Sequence, residues 1–400
     1  PGYVKWTEQR NMSAFLELLA KGKIDLPAIV GQPVPFADAP DAYDKLRSGR
    51  AGVGILFEYP RADETEITPD DRVVTVRPAG KRSEIVIGCI GAGNYANTKL
   101  LPVLSRLEMV RLKTVVTTSG ASAKSVALRL GFEQAATDCL RAFQDDEINT
   151  VIIATPHNSH AALICQSLRA GKAVFAEKPL AIDAGQLEQI RSAIRQTGND
   201  RLQVGFNRRF APLSGRVAEA IAPLGGPCRV LIRVNAGKVA AGSWVGDPEI
   251  SGGRLIGEGC HFIDLAGFFV GENPAEVQAA GAADDADNLS LLLRYPNGSV
   301  ATIAYVTSGS GRLAKEYIEV HRGGQTAVLD DFRRATLYGT RKKKLGAGAQ
   351  DKGQQAQLKA FCDAVSNGEP MPIPLESMLA TTRATFCAAQ ALKTGAAQRI

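Results

Sequence analysis

The sequence predicts an α/β domain on a parallel sheet, followed by an α+β domain with a mostly antiparallel sheet and preceded by a short α+β appendage. Three observations carry this. First, apolar runs at Glu84–Ile90, Val110–Val116, Thr150–Ala154, Ala173–Ala176 and Leu202–Phe206 alternate with helical patterns at Asn94–Arg106, Ala121–Leu130, Ser159–Ala170 and Gly185–Gln196. Such alternation implies parallel strands joined by right-handed helical crossovers. Second, a glycine-rich turn, Gly91-Ala92-Gly93-Asn94-Tyr95-Ala96, follows the first strand and opens the first helix. Third, the pattern changes after Pro212 to strands joined by turns: Val230–Val234, Val277–Ala279, Leu289–Tyr295, Val300–Val306, Tyr317–Val320 and Gln325–Leu329, punctuated by Pro296-Asn297-Gly298 and Arg322-Gly323-Gly324.

The appendage, residues 1–82, carries helical patterns at Glu8–Ala20 and Asp41–Arg47 and an apolar strand at Val53–Tyr59. A charged, Pro-containing stretch follows from Arg61 to Asp71, and a strand-like Arg72–Arg77 with Pro78–Arg82 reads as a linker. The parallel-sheet domain is expected over 83–208. The antiparallel domain is expected over 209–400, closed by helices near Gln354–Ser366 and Leu375–Ala391. A chain of 400 residues suits two or three such cores.

Charge narrows the partners. A net charge of +6 admits an anionic cofactor or substrate but is too mild to argue for nucleic acid. The basic run Arg341-Lys342-Lys343-Lys344 reads as a solvated loop. Seven scattered cysteines have no metal-ligand or redox spacing, which fits free thiols in a cytoplasmic protein without a metal. With no leader and no long apolar run, no membrane partner is expected. The chain begins at Pro1, so a natural segment upstream is expected.

Four segments bear chemistry. In the glycine-rich turn, Gly91 permits the tight turn, Gly93 lets the backbone approach a pyrophosphate, and Ala96 fills a third small position where helix packs on strand. Asn94 and Tyr95 open the helix whose N–H groups face the phosphates. These are the marks of a dinucleotide-binding, Rossmann-type unit, with Ala92 completing the cofactor loop. The ribose-reading position, Thr117-Thr118-Ser119-Gly120, holds no acid. Thr117, Ser119 and nearby Lys124 suit a 2′-phosphate and tilt the choice between NAD and NADP towards NADP, although Lys124 reads equally well as a solvent-facing helix residue. Thr155-Pro156-His157-Asn158-Ser159-His160 lies past a strand's carboxyl end, where open α/β sheets bind ligands. Contact with the cofactor is expected there, and capping or packing is the commoner fate of His157 and His160. At Glu177-Lys178-Pro179-Leu180, Lys178 beside a nicotinamide would stabilise a developing oxyanion and Glu177 would orient it. Gly252–Asp264 leads into a helix in which His261 is a natural base for an alcohol proton, a buried core histidine or a metal ligand being the alternatives, and Asp264 shares its face. Asn207, Arg208, Glu258, Asp264 and Trp244 are candidate substrate contacts, Trp244 reading equally well as core.

From Glu84 onward these residues resemble the glucose–fructose oxidoreductase / inositol dehydrogenase / rhizopine catabolism family of NAD(P)-dependent sugar oxidoreductases. The motifs are Ile90-Gly91-Ala92-Gly93, Thr155-Pro156 with His160, Glu177-Lys178-Pro179-Leu180, Gly205-Phe206-Asn207-Arg208-Arg209-Phe210, and Gly252-Gly253 leading to Gly259–Asp264. The resemblance implies a sugar or cyclitol substrate between the two domains and a catalytic pair at Lys178 and His261. The expected assembly is a homo-oligomer, a dimer or tetramer. Many members place an Asp four residues before that His; here the position is Gly257, and Glu258 is the nearest acid. A silent cofactor-binding sensor or scaffold is the alternative that this departure raises. Residues 1–80, through Asn11–Phe15, Pro35–Tyr43 and Gly52–Leu56, resemble the tail of a medium-chain zinc-type alcohol dehydrogenase, which implies a fusion of two oxidoreductases.

Overall fold

A computed structural model describes residues 7–30, 33–49, 54–59, 73–80, 84–240, 242–282 and 287–400. It divides the chain into two units between Asp71 and Arg72. In the first unit, the Thr7 hydroxyl caps the Glu8–Ala20 helix by accepting from the Arg10 N–H at 3.2 Å. Further helices span Leu26–Ile29 and Ala39–Arg47, and β1 (Val34–Pro35) pairs in parallel with β2 (Phe57–Glu58). The strand expected over 53–59 is thus cut to β2, and Val53 and the charged stretch 61–71 lie outside the described residues. Met12, Phe15, Leu16 and Leu18 of the first helix are exposed.

The second unit contains both expected sheets. The first has seven strands: β3 (Val73–Thr75), β4 (Ile85–Ile90), β5 (Val110–Val116), β6 (Gln134–Ala136), β7 (Thr150–Ile153), β8 (Ala173–Ala176) and β9 (Leu202–Val204). Their order is β3-β6-β5-β4-β7-β8-β9, and every pair is parallel except β3 against β6. All six residues of β4 are buried, as a central parallel strand covered on both faces must be. Strand order reverses direction beside β4, which puts a crevice at its carboxyl end.

Two expectations change here. The linker reading of 72–82 fails in part, because β3 joins this sheet as its antiparallel edge. A strand at Gln134–Ala136 went unread, three residues being too short to display a period.

The second sheet holds β10 (Arg229–Asn235), β11 (Glu276–Gly281), β12 (Leu289–Arg294), β13 (Val300–Val306), β14 (Glu316–Arg322), β15 (Gln325–Asp330), β16 (Arg334–Tyr338), β17 (Lys342–Ala347) and β18 (Gln398–Arg399). The order is β17-β16-β15-β14-β10-β13-β12-β11-β18, antiparallel except for β10 beside β13. Alternate residues of β13 and β14 are buried, and that face packs on the Cys260–Val270, Pro212–Ile221 and Leu375–Thr394 helices. The basic run expected as a loop is the edge strand β17. Its exposed lysines protect an otherwise pairable edge.

The closing helices do not serve one domain alone. Gln354–Asn367 returns to the parallel sheet, where Leu358 and Phe361 pack with Ile85 and Ile87. Met378 and Leu379 pack in the cluster containing Val151 and Val174. The Leu375–Thr394 helix thus serves both sheets, since its Ala384, Ala388 and Ala391 pack in the cluster of the antiparallel sheet.

Candidate active site

The turn after β4 is fixed by sterics. Gly91 has φ +86°, and a Cβ there would stand 2.5 Å from the Ala154 carbonyl oxygen. At Gly93 nothing lies within 4 Å of an added Cβ, so its backbone is open to a ligand. Ala96 is fully buried under the turn. The Asn97 amide donates to the Ala92 carbonyl, and Thr98 Oγ1 donates to the Asn94 carbonyl at 2.7 Å. A π-helical turn follows at Ala96–Leu100. A tight turn, an open Gly93 and a small residue beneath fit a dinucleotide pyrophosphate. Gly91→Val is expected to lose about 1–3 kcal/mol to backbone strain alone, with further loss from the clash. A thermal melt and a dinucleotide fluorescence titration check it, and unchanged affinity would sink the assignment.

At the end of β5 the segment Thr117–Gly120 contains no acid. Thr117 Oγ1 donates to the Ser119 carbonyl at 2.7 Å, and Ser119 caps the Gly120–Leu130 helix. Tyr95 presents its ring at 39% exposure, while burial of the hydroxyl, then the Glu177 charge, push its pKa up.

The two loops past β7 and β8 are tied by His160. Its Nδ1 faces the Pro179 carbonyl at 2.8 Å and its Nε2 the Thr155 carbonyl at 3.0 Å. A neutral ring donates to only one of them at a time. His160 is fully buried and braces the two loops. Thr155 Oγ1 lies 2.7 Å from Ser159 Oγ, which donates to the Pro156 carbonyl at 2.8 Å. The Lys178–Pro179 peptide bond is cis. Glu177 is buried against Gly205, and burial raises its carboxyl to about 7 although the Lys178 charge opposes the rise.

Lys178 Nζ donates to the Gly257 carbonyl at 2.7 Å. That contact answers the missing Asp: the ammonium is held by main chain. His157 fills the remaining space, since a Cβ on Gly257 would stand 2.8 Å from His157 Cε1. His157 Nδ1 lies 2.9 Å from the Ser251 carbonyl, and its ring meets Trp244 edge-on at 4.8 Å. Burial, then the Lys178 charge, hold His157 down at about 3, so the ring is neutral and Nδ1–H donates to Ser251. Trp244 is 40% exposed, which places it at the rim rather than in the core. Gly257→Asp is expected to cost about 1–3 kcal/mol by overpacking, and His157→Ala in the same chain is expected to relieve it. Equal melting midpoints for the parent and the single Gly257→Asp variant would sink this account.

His261 sits on the Cys260–Val270 helix, buried, with Nδ1 lacking any hydrogen-bond partner. Burial, then the charges of Arg208 and Lys178, hold its pKa well below the usual range. The residues expected around it are engaged elsewhere. Both Asp264 oxygens take the Arg209 guanidinium, Nε at 3.0 Å, so Asp264 does not orient His261. Arg208 makes two 2.9 Å bonds to Glu316, and Lys352 Nζ joins that carboxylate at 2.7 Å. Asn207 Nδ2 donates to the Lys352 carbonyl at 2.7 Å. Glu258 accepts from Tyr305, Lys315 and, at 3.0 Å, Arg254; burial would raise its carboxyl, but Lys315 holds it at about 2. Asn207, Arg208, Glu258 and Asp264, the candidate substrate contacts, thus each have a partner inside the protein, as buried polar and charged groups require. Those partners, Glu316, Lys352, Tyr305 and Lys315, went unread because they lie 47 to 145 residues away. Among the described residues no His, Cys, Asp or Glu group is placed to hold a metal, and no helix is long and apolar enough to cross a membrane.

Comparison with known proteins agrees with this layout. A family profile described as "Oxidoreductase family, NAD-binding Rossmann fold" matches residues 85–206, and one described as "GFO/IDH/MocA C-terminal domain" matches residues 223–341. Inositol 2-dehydrogenase of Rhizobium meliloti is 33% identical over 263 residues, 62% of this chain and 76% of that protein. Myo-inositol 2-dehydrogenase of Thermotoga maritima is 26% identical over 264 residues, 60% of this chain and 77% of that protein. A crystal structure of an oxidoreductase domain protein from Kribbella flavida superposes with a TM-score of 0.71 at 21% identity, covering 80% of this chain and all of that one. With a dinucleotide turn that only glycine can make, a lysine and a neutral histidine beside it, and these matches over both sheets, the chain belongs to the GFO/IDH/MocA family of NAD-binding oxidoreductases.

Proposed function

We propose that the protein interconverts a secondary alcohol and a ketone on a sugar, cyclitol or nucleotide-sugar-like substrate. A nicotinamide dinucleotide held at Gly91–Ala96, with Thr117, Thr155, Pro156 and Glu177 around it, supplies the hydride acceptor or donor. One observation carries the reading. Lys178 Nζ, with one of its three donors on the Gly257 carbonyl, is near enough to a neutral, unpartnered His261 for its charge to oppose protonation of that ring. The remaining ammonium donors would hold the substrate oxygen. His261, kept neutral, takes the hydroxyl proton in oxidation and returns it in reduction. The same positive charges that disfavour imidazolium favour an alkoxide beside it, so the proton and the oxyanion are balanced within one site. Trp244 at the rim offers an apolar face for a ring C–H surface. The inositol dehydrogenases among the relatives support the cyclitol class.

NADP is favoured over NAD, because no carboxylate is placed at Thr117–Ser119 to repel a 2′-phosphate. Residues 1–80 are read as an alcohol dehydrogenase tail without catalysis of its own; retention of turnover after their removal is the check. The decisive test is absorbance at the nicotinamide band with either dinucleotide across cyclitols, sugars and nucleotide sugars. Turnover on at least one, faster with NADP, is expected. Dinucleotide binding with no turnover throughout would replace this reading with the silent sensor.

A further inference from the structure

Beside the candidate pair, the end of β10 and the loop before β14 enclose a cavity of about 350 Å³. That lies within the roughly 300–1,000 Å³ of small-molecule pockets. Its lining includes Asn235, Gly309, Gly311, Arg312 and Lys315, and no acid is among the described lining residues. It adjoins the site through Lys315, whose ammonium bonds Glu258, the residue next to Gly257. Lys315 is also close enough for its charge to oppose protonation of His261.

Three features mark it as built to hold a ligand. Asn235 is only 8% exposed, and its Nδ2 is spent on the Ser310 and Leu313 carbonyls at 2.8 and 3.2 Å. Its Oδ1 is buried with no partner, an acceptor that costs free energy until a donor arrives. Gly309 packs over that oxygen, since a Cβ there would stand 2.1 Å from it, so the loop at Gly309 must give before a donor reaches it. Gly311 leaves its backbone bare, with nothing within 4 Å of an added Cβ. Arg312 is exposed, and among the described residues no carboxylate pairs with its side chain.

We propose that this cavity binds an anionic substituent of the substrate, a phosphate or carboxylate, on Arg312 and Lys315. The inference rests on the dehydrogenase reading for its substrate and adds that the sugar or cyclitol is charged. Arg312 presents the planar fork that suits either anion.

The test compares kcat/KM for a phosphorylated or uronate sugar with that for its neutral parent, in the parent protein and in Arg312→Ala, Arg312→Glu and Arg312→Lys. Inorganic pyrophosphate and glucuronate are titrated calorimetrically into the dinucleotide-loaded protein, one arm for each anion source. The parent protein is expected to prefer the charged substrate. Arg312→Ala is expected to cut that preference, and the affinity for the matching anion, about tenfold or more, as loss of a charge-assisted hydrogen bond does. Arg312→Glu should cut them further, and Arg312→Lys should retain most of both. Turnover of neutral cyclitols with no effect of any Arg312 variant, in kinetics or titration, overturns the anion site and leaves the dehydrogenase reading standing. Anion binding that depends on Arg312, with no sugar turned over, supports the site while the dehydrogenase reading falls.

Discussion

Lys178→Met is expected to lower kcat/KM by about 10²–10³-fold, the loss typical of removing one donor from a developing oxyanion. Met keeps the length and the apolar stem, and among the described residues the one side-chain bond lost is that to the Gly257 carbonyl. Folding and dinucleotide binding should therefore survive. A second readout separates chemistry from structure. The Lys178 charge presses down the protonation of both His157 and His261. Its removal should move the acid limb of the residual pH–rate profile upward. His261→Ala should cost about 10²–10⁴-fold and abolish that limb, because the proton acceptor itself is gone. Activity within a few-fold of the parent in both variants would end the assignment of this pair.

Glu316→Gln is expected to cost about 3–5 kcal/mol of stability, the penalty for breaking a fully buried ion pair from one side. The carboxylate is completely buried and answers two cations, Arg208 in two bonds and Lys352 in a third. Neutralising it leaves the buried Arg208 guanidinium, over the Phe262 ring, and the half-buried Lys352 ammonium, over the Phe332 ring, without their carboxylate. A denaturant midpoint measures the effect, and a change under about 1 kcal/mol would refute it. The same carboxylate dictates a pH dependence. Burial would raise its pKa, but Arg208 and Lys352 outweigh burial and hold it at about 2, below the ordinary 4.5. Its contribution is therefore complete above about pH 5 and is lost as pH falls through 4.5 towards 2. In Glu316→Gln that acid-side loss of stability should flatten.

Much of the architecture was legible along the chain. Strand and helix periodicity marked both sheets, since a buried parallel strand reads as a continuous apolar run and a one-sided strand as alternation. The glycine-rich turn named its ligand class through its spacing between a strand and a helix, and the structure adds why Gly91 is glycine: a left-handed φ and the Ala154 carbonyl packed against it. The places of Lys178 at a strand end and of His261 on a helix were legible, while their pairing as catalytic residues came from the resemblance.

Tertiary structure decided what those residues touch. Asp264 shares a helix with His261, yet its charge is claimed by Arg209, 55 residues earlier. Arg208 and Glu258 have the chemistry of substrate ligands, and burial claimed both for internal pairs. Gly257, which looked like a gap in a catalytic set, offers a carbonyl to Lys178 and clearance to His157. The physical reason is common to all of them. Backbone conformation is set within a few residues and can be read there, whereas desolvation makes every buried charge and polar atom find a partner wherever the fold brings one near.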